Sequence, residues 1–259
     1  MALATMDLGL KDKVAVVVGG SSNIGRACAV ELAKQGAKVV ICYSSNDAKA
    51  QITLDRIAAV ADPANARAYK CDISDEASVD SLFQFTVETF GTVDILVYSA
   101  MHYPTNLVVD IPYDEWRRTM AVNIDGCFLS NRWVARYWLA NKRGGYILNF
   151  GSQAAYNGST THHAHYASSK GAVVAFTKSI ARELGKYGII ANCVAPGMTA
   201  VVGEGLIDEK GAEYYKTRIP MGRIGTPEEM AEIVSFLVSP HNTYMLGACV
   251  DVNGGMLMR

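Results

Sequence analysis

The chain has 259 residues, half of them hydrophobic, with 24 basic and 25 acidic side chains and a formal net charge of −1. A near-neutral chain without a block of like charge offers no electrostatic footprint for nucleic acid or for an anionic membrane surface. Its length suits one α/β domain over 1–259, with ample apolar material for a buried core.

The start, Met1-Ala-Leu-Ala-Thr-Met-Asp7, has neither a basic n-region nor an apolar h-region, so no secretory signal is expected. The apolar runs that follow are too short to cross a bilayer, and they alternate with longer amphipathic stretches. Strands are expected over 14–18, 39–42, 66–71, 95–98, 146–150, 189–194 and 248–252, and helices over 24–35, 47–60, 76–90, 113–140, 163–186 and 227–238. The strand segments are almost continuously hydrophobic, the pattern of strands covered on both faces. The fold class is therefore α/β: a doubly wound Rossmann fold with a seven-stranded parallel sheet flanked by helices. The six cysteines, Cys28, Cys42, Cys71, Cys127, Cys193 and Cys249, form no Cys-x-x-Cys pair. They read as small buried hydrophobes of a reduced, cytoplasmic protein.

After the first strand comes Val18-Gly-Gly-Ser-Ser-Asn-Ile-Gly25, leading straight into Arg26-Ala-Cys-Ala-Val-Glu-Leu-Ala33. Glycines there permit a tight strand-to-helix turn and let a pyrophosphate approach the backbone at the positive end of the helix. Asn23 stands where glycine is common, and Asn tolerates a left-handed backbone. The second strand ends Cys42-Tyr43-Ser44-Ser45, with no carboxylate before Asp47 to bind the ribose hydroxyls of NAD. Small hydroxyls there suit a 2′-phosphate, although no lysine or arginine stands in this stretch. NADP(H) is thus placed ahead of NAD(H). The plainer alternative is that Ser44, Ser45 and Asn46 only cap the next helix.

Tyr166 and Lys170, in His165-Tyr-Ala-Ser-Ser-Lys170, lie four residues apart, on one face of the expected helix. A free tyrosine ionises near pH 10. A positive charge within ~4–6 Å lowers that pKa by roughly one to three, enough for the phenol to trade protons with a carbonyl or an alcohol. The spacing is common by itself; its context decides.

With the glycine turn and this pair in order, the chain resembles the short-chain dehydrogenase/reductase family over nearly its whole length. The resemblance extends to Asp72 after the third strand, Asn123 in Met120-Ala-Val-Asn-Ile124, Ser152 in Asn149-Phe-Gly-Ser152, Pro196-Gly197, and Asp251-Val-Asn-Gly-Gly255. It implies that Ser152 binds the substrate oxygen and Tyr166 transfers the proton. It gives Lys170 the task of lowering the tyrosine pKa and holding the nicotinamide ribose, and Asn123 that of positioning a water. It implies cofactor contacts from Gly19, Ser21, Ser22, Asn23, Ile24 and Gly25, from Tyr43, Ser44 and Ser45, and from Asp72 and Ile73. Further contacts are expected from Ser99, Ala100, Tyr166, Lys170, Pro196, Gly197 and Thr199. The activity implied is interconversion of a ketone and a secondary alcohol, on a 3-oxoacyl ester or a small ketone or polyol, by a homotetramer that needs no metal.

Some positions depart from the family pattern. Tyr98-Ser-Ala-Met101 stands where the family usually has Asn-Asn-Ala-Gly, Val18 replaces a common threonine, and Val201 follows Pro196-Gly197 where threonine is frequent. Met101 is expected to crowd the nicotinamide side or to point at substrate. The polar stretch 198–220, with Gly203, Gly205 and Gly211, is either a long connection or a substrate lid bearing Tyr214 and Tyr215. The histidines of Thr161-His-His-Ala-His165 have no local Cys, Asp or Glu, so a metal is not expected. His162 or His163, with His102 and Tyr103, are substrate-side candidates. Trp116, Trp133 and Trp138 read as core or interface packing. Two rival functions stay open: a non-catalytic nucleotide-sensing or scaffold protein on this fold, and an enoyl reductase. The second conflicts with the spacing, since similar enoyl reductases place tyrosine and lysine seven apart.

Overall fold

The structure, a computed structural model, describes residues 6–159, 162–200 and 207–259. Thr161, Val201, Gly203 and Gly205, singled out above, lie outside the described residues. In chain order the elements are β1 (Val14–Val18), α1 (Asn23–Lys34), β2 (Lys38–Tyr43), α2 (Asp47–Ala58), β3 (Ala66–Lys70), α3 (Glu76–Phe90) and β4 (Ile95–Tyr98). Then follow α4 (Tyr113–Met120), a π-helical turn (Ala121–Asp125), α5 (Gly126–Ala140), β5 (Gly145–Phe150), α6 (Ala154–Asn157), α7 (Ala164–Leu184) and β6 (Ile189–Pro196). The chain continues through α8 (Glu209–Lys216), α9 (Pro227–Leu237) and β7 (Cys249–Val252).

The strands form one seven-stranded sheet in the order β3-β2-β1-β4-β5-β6-β7, every neighbouring pair parallel. Alternation along β1 divides the core into two layers. Ala15 and Val17 face a cluster built with Cys28, Leu32, Ile57 and Val234 of α1, α2 and α9. Val16 and Val18 face a second one with Leu82, Phe83, Val134, Trp138 and Val173 of α3, α5 and α7. Because side chains alternate along a strand, both halves of an all-apolar run are buried only when helices cover both faces. The continuous hydrophobicity of the strands therefore carried the parallel sheet.

The order reverses direction between β1 and β4, so a crevice opens at the carboxyl ends of those strands. Several other helix starts, though not that of α7, are closed by their own side chains. Asn46 accepts from Lys49 N at 2.9 Å and Asp75 from Ser78 N at 2.8 Å, while Thr226 and Glu229 form the capping box expected after Pro227. α1, by contrast, begins with no side-chain cap and no acidic residue in its first turn. Its orphan N–H groups face the crevice edge, where an anion would satisfy them.

Residues 113–140 do not form one regular helix. The π-helical turn inserts one extra residue into the spiral at 121–125, and such turns occur often at functional sites. The buried Tyr98 hydroxyl donates to the Val122 carbonyl in this turn. Gly126 makes the fit possible, since a Cβ there would lie 2.6 Å from the same hydroxyl oxygen. Tyr98 thus links the end of β4 to the turn, at a position where the resemblance leads one to expect an amide. Trp138 is fully buried with its Nε1 donating to Val93 O at 2.7 Å, and Trp133 stacks on Phe83. Both are core residues; Trp116 is partly exposed.

Candidate active site

A cavity of about 750 Å³ runs along the carboxyl edge of the sheet, from the glycine turn to Tyr166 and Lys170, within the range of small-molecule and cofactor sites. Its first third is the turn itself: Gly19, Ser21, Ser22, Asn23, Ile24 and Gly25 all line it. Gly19 has φ +80, and a Cβ there would sit 2.7 Å from Ala100 N, so only glycine lets the turn pass this close to the end of β4. Asn23 adopts a left-handed φ of 43 as its residue type allowed. Arg26 fastens the turn from behind, donating to Ser21 O at 2.7 Å and to Thr53 Oγ1 at 3.2 Å.

The middle of the cavity is lined by Tyr43, Ser44, Asp72, Ile73, Ser99 and Ala100. Ser45 is exposed and lies outside the lining. Asp72 accepts from Ser74 N at 3.0 Å and from its hydroxyl at 2.6 Å, which holds the carboxyl below the usual carboxylate range. Arg118 of α4 pairs with it at 3.7 Å. One expectation about this corner is corrected. The corner is expected to hold no lysine or arginine, yet Lys70 pairs in register with Tyr43, and its ammonium lies 3.3 Å from Asp47.

Ser152, Tyr166 and Lys170 come together at the far end, with Pro196, Gly197 and Thr199 of the β6 exit along one wall. Ser152 follows β5, and Tyr166 and Lys170 rise from the first turns of α7. Asn149 locks this junction: its Nδ2 donates to Asn131 Oδ1 of α5 and Thr177 Oγ1 of α7, each at 3.0 Å. Tyr103 packs edge-on to the Tyr166 ring at 4.6 Å between centroids, and the His163 ring stacks on Tyr103 at 3.9 Å.

The electrostatics of the pair differ from what the spacing implied. Burial pushes the Tyr166 phenol well above its usual range, and the opposing hydrogen bond with Ser152 does not cancel it. Lys170 does not offset it, because its ammonium is turned to the Phe150 carbonyl at 2.7 Å. It stands 5.6 Å from the centre of the Tyr166 ring. Burial also lowers the Lys170 pKa from 10.5 to about 8. Tyr166 therefore holds its proton through neutral pH, and Lys170 sits close to its own titration point.

Asn123 is fully buried and outside the lining. Both amide N–H groups are spent, on His102 O at 3.0 Å and Ser169 Oγ at 2.9 Å, while Oδ1 accepts from His102 N at 2.6 Å. The amide thus braces the segment after β4 against α7 and has no donor left for a water.

The remaining wall comprises Met101, His102, Tyr103, Gln153, Asn157 and Met256, with Tyr214, Tyr215 and Arg218 from the α8 region. Met101 is 43% exposed at the cavity edge. Gln153, Asn157, Met256 and Arg218 carry no sequence signal: Asn157 ends the single turn α6, and the other three lie in turns or bends beyond a regular element, where sequence carries no periodicity. His162 is exposed, whereas His163 Nδ1 donates to Pro104 O at 2.6 Å. His165 is sealed in the core against Glu115 Oε1 at 3.2 Å. Among the described residues no cluster of His, Cys, Asp and Glu is placed to hold a metal, and no helix is long and apolar enough to cross a membrane.

Comparison with known proteins agrees with this geometry. A protein-family model described as enoyl-(acyl carrier protein) reductase matches residues 18–257. The chain is 36% identical over 249 residues to an L-rhamnose 1-dehydrogenase (NAD(P)(+)) of Sphingomonas sp., covering 95% of this chain and 97% of that one. It is 34% identical over 251 residues to a 3-oxoacyl-(acyl-carrier-protein) reductase FabG of Vibrio cholerae, covering 97% and 100%. Among solved structures, a short chain dehydrogenase from Bacillus anthracis superimposes with a TM-score of 0.88 at 28% identity, covering 96% and 98%.

Proposed function

We propose, for a chain that belongs to the short-chain dehydrogenase/reductase family, an NAD(P)-dependent oxidoreductase that interconverts a ketone and a secondary alcohol, with NADP(H) favoured. The observation that carries this reading is one continuous cavity. It joins an uncapped helix start behind a glycine turn to a serine, a tyrosine and a lysine around one point. The first end fits a pyrophosphate and the second fits a carbonyl oxygen.

The bound nicotinamide supplies the hydride in reduction and takes it in oxidation. Ser152 donates its hydroxyl to the substrate oxygen and fixes the carbonyl in place. Tyr166, protonated across neutral pH, gives its proton to that oxygen as negative charge develops there. The Lys170 ammonium steadies the phenolate left behind. Asn123, through the His102 backbone, keeps the β4 exit at the correct distance from α7. Of the expected lid over 198–220, residues 201–206 lie outside the described residues; its Tyr214 and Tyr215 line the cavity and shield the reacting centre from water.

The four-residue spacing of Tyr166 and Lys170 supports carbonyl reduction over the enoyl reduction named in the family description. The substrate is a 3-oxoacyl ester or a small ketone or polyol, in keeping with the dehydrogenase and reductase relatives. A scaffold role draws no support from the altered β4 exit, because Tyr98 there still ties the strand to its neighbour. Assays of 3-oxoacyl thioesters, cyclic ketones and aldoses with both cofactors test the reading: turnover of one class supports it, and no turnover with any contradicts it.

The protein is further proposed to be a cytoplasmic homotetramer built through the outer faces of α5 and α7. There Phe128 is 42% exposed beside Phe176, with ring centroids 6.0 Å apart. Sedimentation equilibrium should return the mass of four chains; a single-chain mass at micromolar concentration contradicts the assembly.

A further inference from the structure

The corner beyond Ser44 contains a charge cluster that the reaction does not use. Lys70 ends β3 and lies beside Tyr43, the last residue of β2. Its ammonium is 3.3 Å from Asp47 Oδ1, and the Tyr43 hydroxyl faces the same carboxylate. Tyr43 and Ser44 line the cavity, whereas Lys70 and Asp47 stand just behind them. Another cation of this region, Arg118, lines the cavity and is directed to Asp72 and to the Ser74 hydroxyl at 3.1 Å.

The Lys70–Asp47 pair is exposed on both sides, 54% and 70%. An ion pair in that setting contributes little and breaks easily. A phosphate monoester carries about −1.5 to −2 charges at pH 7 and three acceptor oxygens, against one charge on a carboxylate. Given both within reach of the long lysine stem, the ammonium goes to the phosphate. With a free ribose hydroxyl in its place, the ammonium stays on Asp47 and the corner remains neutral.

We propose that Lys70 is the cation that recognises a 2′-phosphate, and that Asp47 is its internal counter-ion, given up for NADP(H) and kept for NAD(H). This arrangement lets one corner accept either cofactor, with Asp47 weakening the preference for the phosphorylated form. The inference rests on the reading of the cavity as a nicotinamide-dinucleotide site.

Calorimetric titration with NADPH, NADH, 2′,5′-ADP and 5′-AMP tests it without any substrate. Lys70→Ala should weaken NADPH and 2′,5′-ADP by about tenfold, the scale of one charge-assisted contact, and leave NADH and 5′-AMP unchanged. Asp47→Asn should tighten the phosphorylated pair several-fold and again spare the other two. Both side chains are exposed, so the variants fold; Lys70→Gln should repeat the Lys70→Ala result. Variants that bind all four ligands with unaltered preference overturn the inference and leave the oxidoreductase reading standing. A wild-type protein that binds none of the four overturns the cavity reading and the inference together.

Discussion

Replacing Tyr166 by phenylalanine should lower kcat by about a thousandfold, within the range of a lost general acid, while cofactor affinity changes by only a small factor. The substitution keeps the ring and its edge-on packing against Tyr103, so the cavity wall is conserved. What disappears is the one hydroxyl joined to Ser152. Because burial holds that phenol well above its usual range, the residual rate in the variant should be independent of pH near neutrality. Single-turnover measurements with saturating cofactor separate this from a binding defect. A variant that loses affinity and rate in parallel would instead make Tyr166 a binding residue.

Lys170→Met should have opposite effects on rate and stability. Turned from the Phe150 carbonyl toward the phenolate that forms as the proton leaves, and starting 5.6 Å from the ring centre, the ammonium stabilises that charge by about 3 kcal/mol at an effective dielectric near 20, or roughly two powers of ten in rate. Reduction should therefore fall about a hundredfold in the variant. In the wild type, kcat/KM for reduction should decline as pH rises through about 8, where the ammonium loses its proton; the variant should lack that inflection.

For stability, the folded pKa lies below the unfolded one. Between about 8 and 10.5 the unfolded chain therefore keeps a proton that the folded chain has released, and wild-type stability rises with pH across that window. Below it the cost of burying the charge is felt in full, about 3 kcal/mol for a shift of this size. Methionine removes that cost but leaves the Phe150 carbonyl unpaired, at about 1–3 kcal/mol. A net gain near 1 kcal/mol, about 2–4 °C in Tm for a chain of this length, is expected at pH 7 and should turn into a loss of about 1 kcal/mol by pH 10. A variant equally destabilised at both pH values would show that Lys170 carries no desolvation cost.

How far these features follow from the sequence depends on the range of the interaction behind them. Val14–Val18 and Ile95–Tyr98 read as buried strands because their neighbours in sequence already state that both faces are covered. The helix at 227 announced itself through Thr226, Pro227 and Glu229, all within one turn. The π-helical turn could not be read in this way, since its cause is a tyrosine hydroxyl arriving from β4 at Val122. Lys70 was overlooked for a similar reason: it reaches Tyr43 across strands, 27 residues further along the chain. α8 was read only as part of a polar stretch, because Glu209-Lys-Gly-Ala-Glu-Tyr-Tyr-Lys216 has a glycine in its first turn and no buried face. The Tyr166–Lys170 spacing placed both side chains at one cavity but said nothing of their ionisation, which depends on the enclosure around them.

The central claim is that a hydride reaches a carbonyl carbon in this cavity while Tyr166 protonates the oxygen. Reduced cofactor carrying deuterium at the transferring position, incubated with a ketone that supports turnover, tests it most directly. The product alcohol should gain one deuterium on its carbinol carbon with the wild type and only a trace with Tyr166→Phe over the same interval. An alcohol formed without the label, or labelled equally fast by both proteins, would contradict the account.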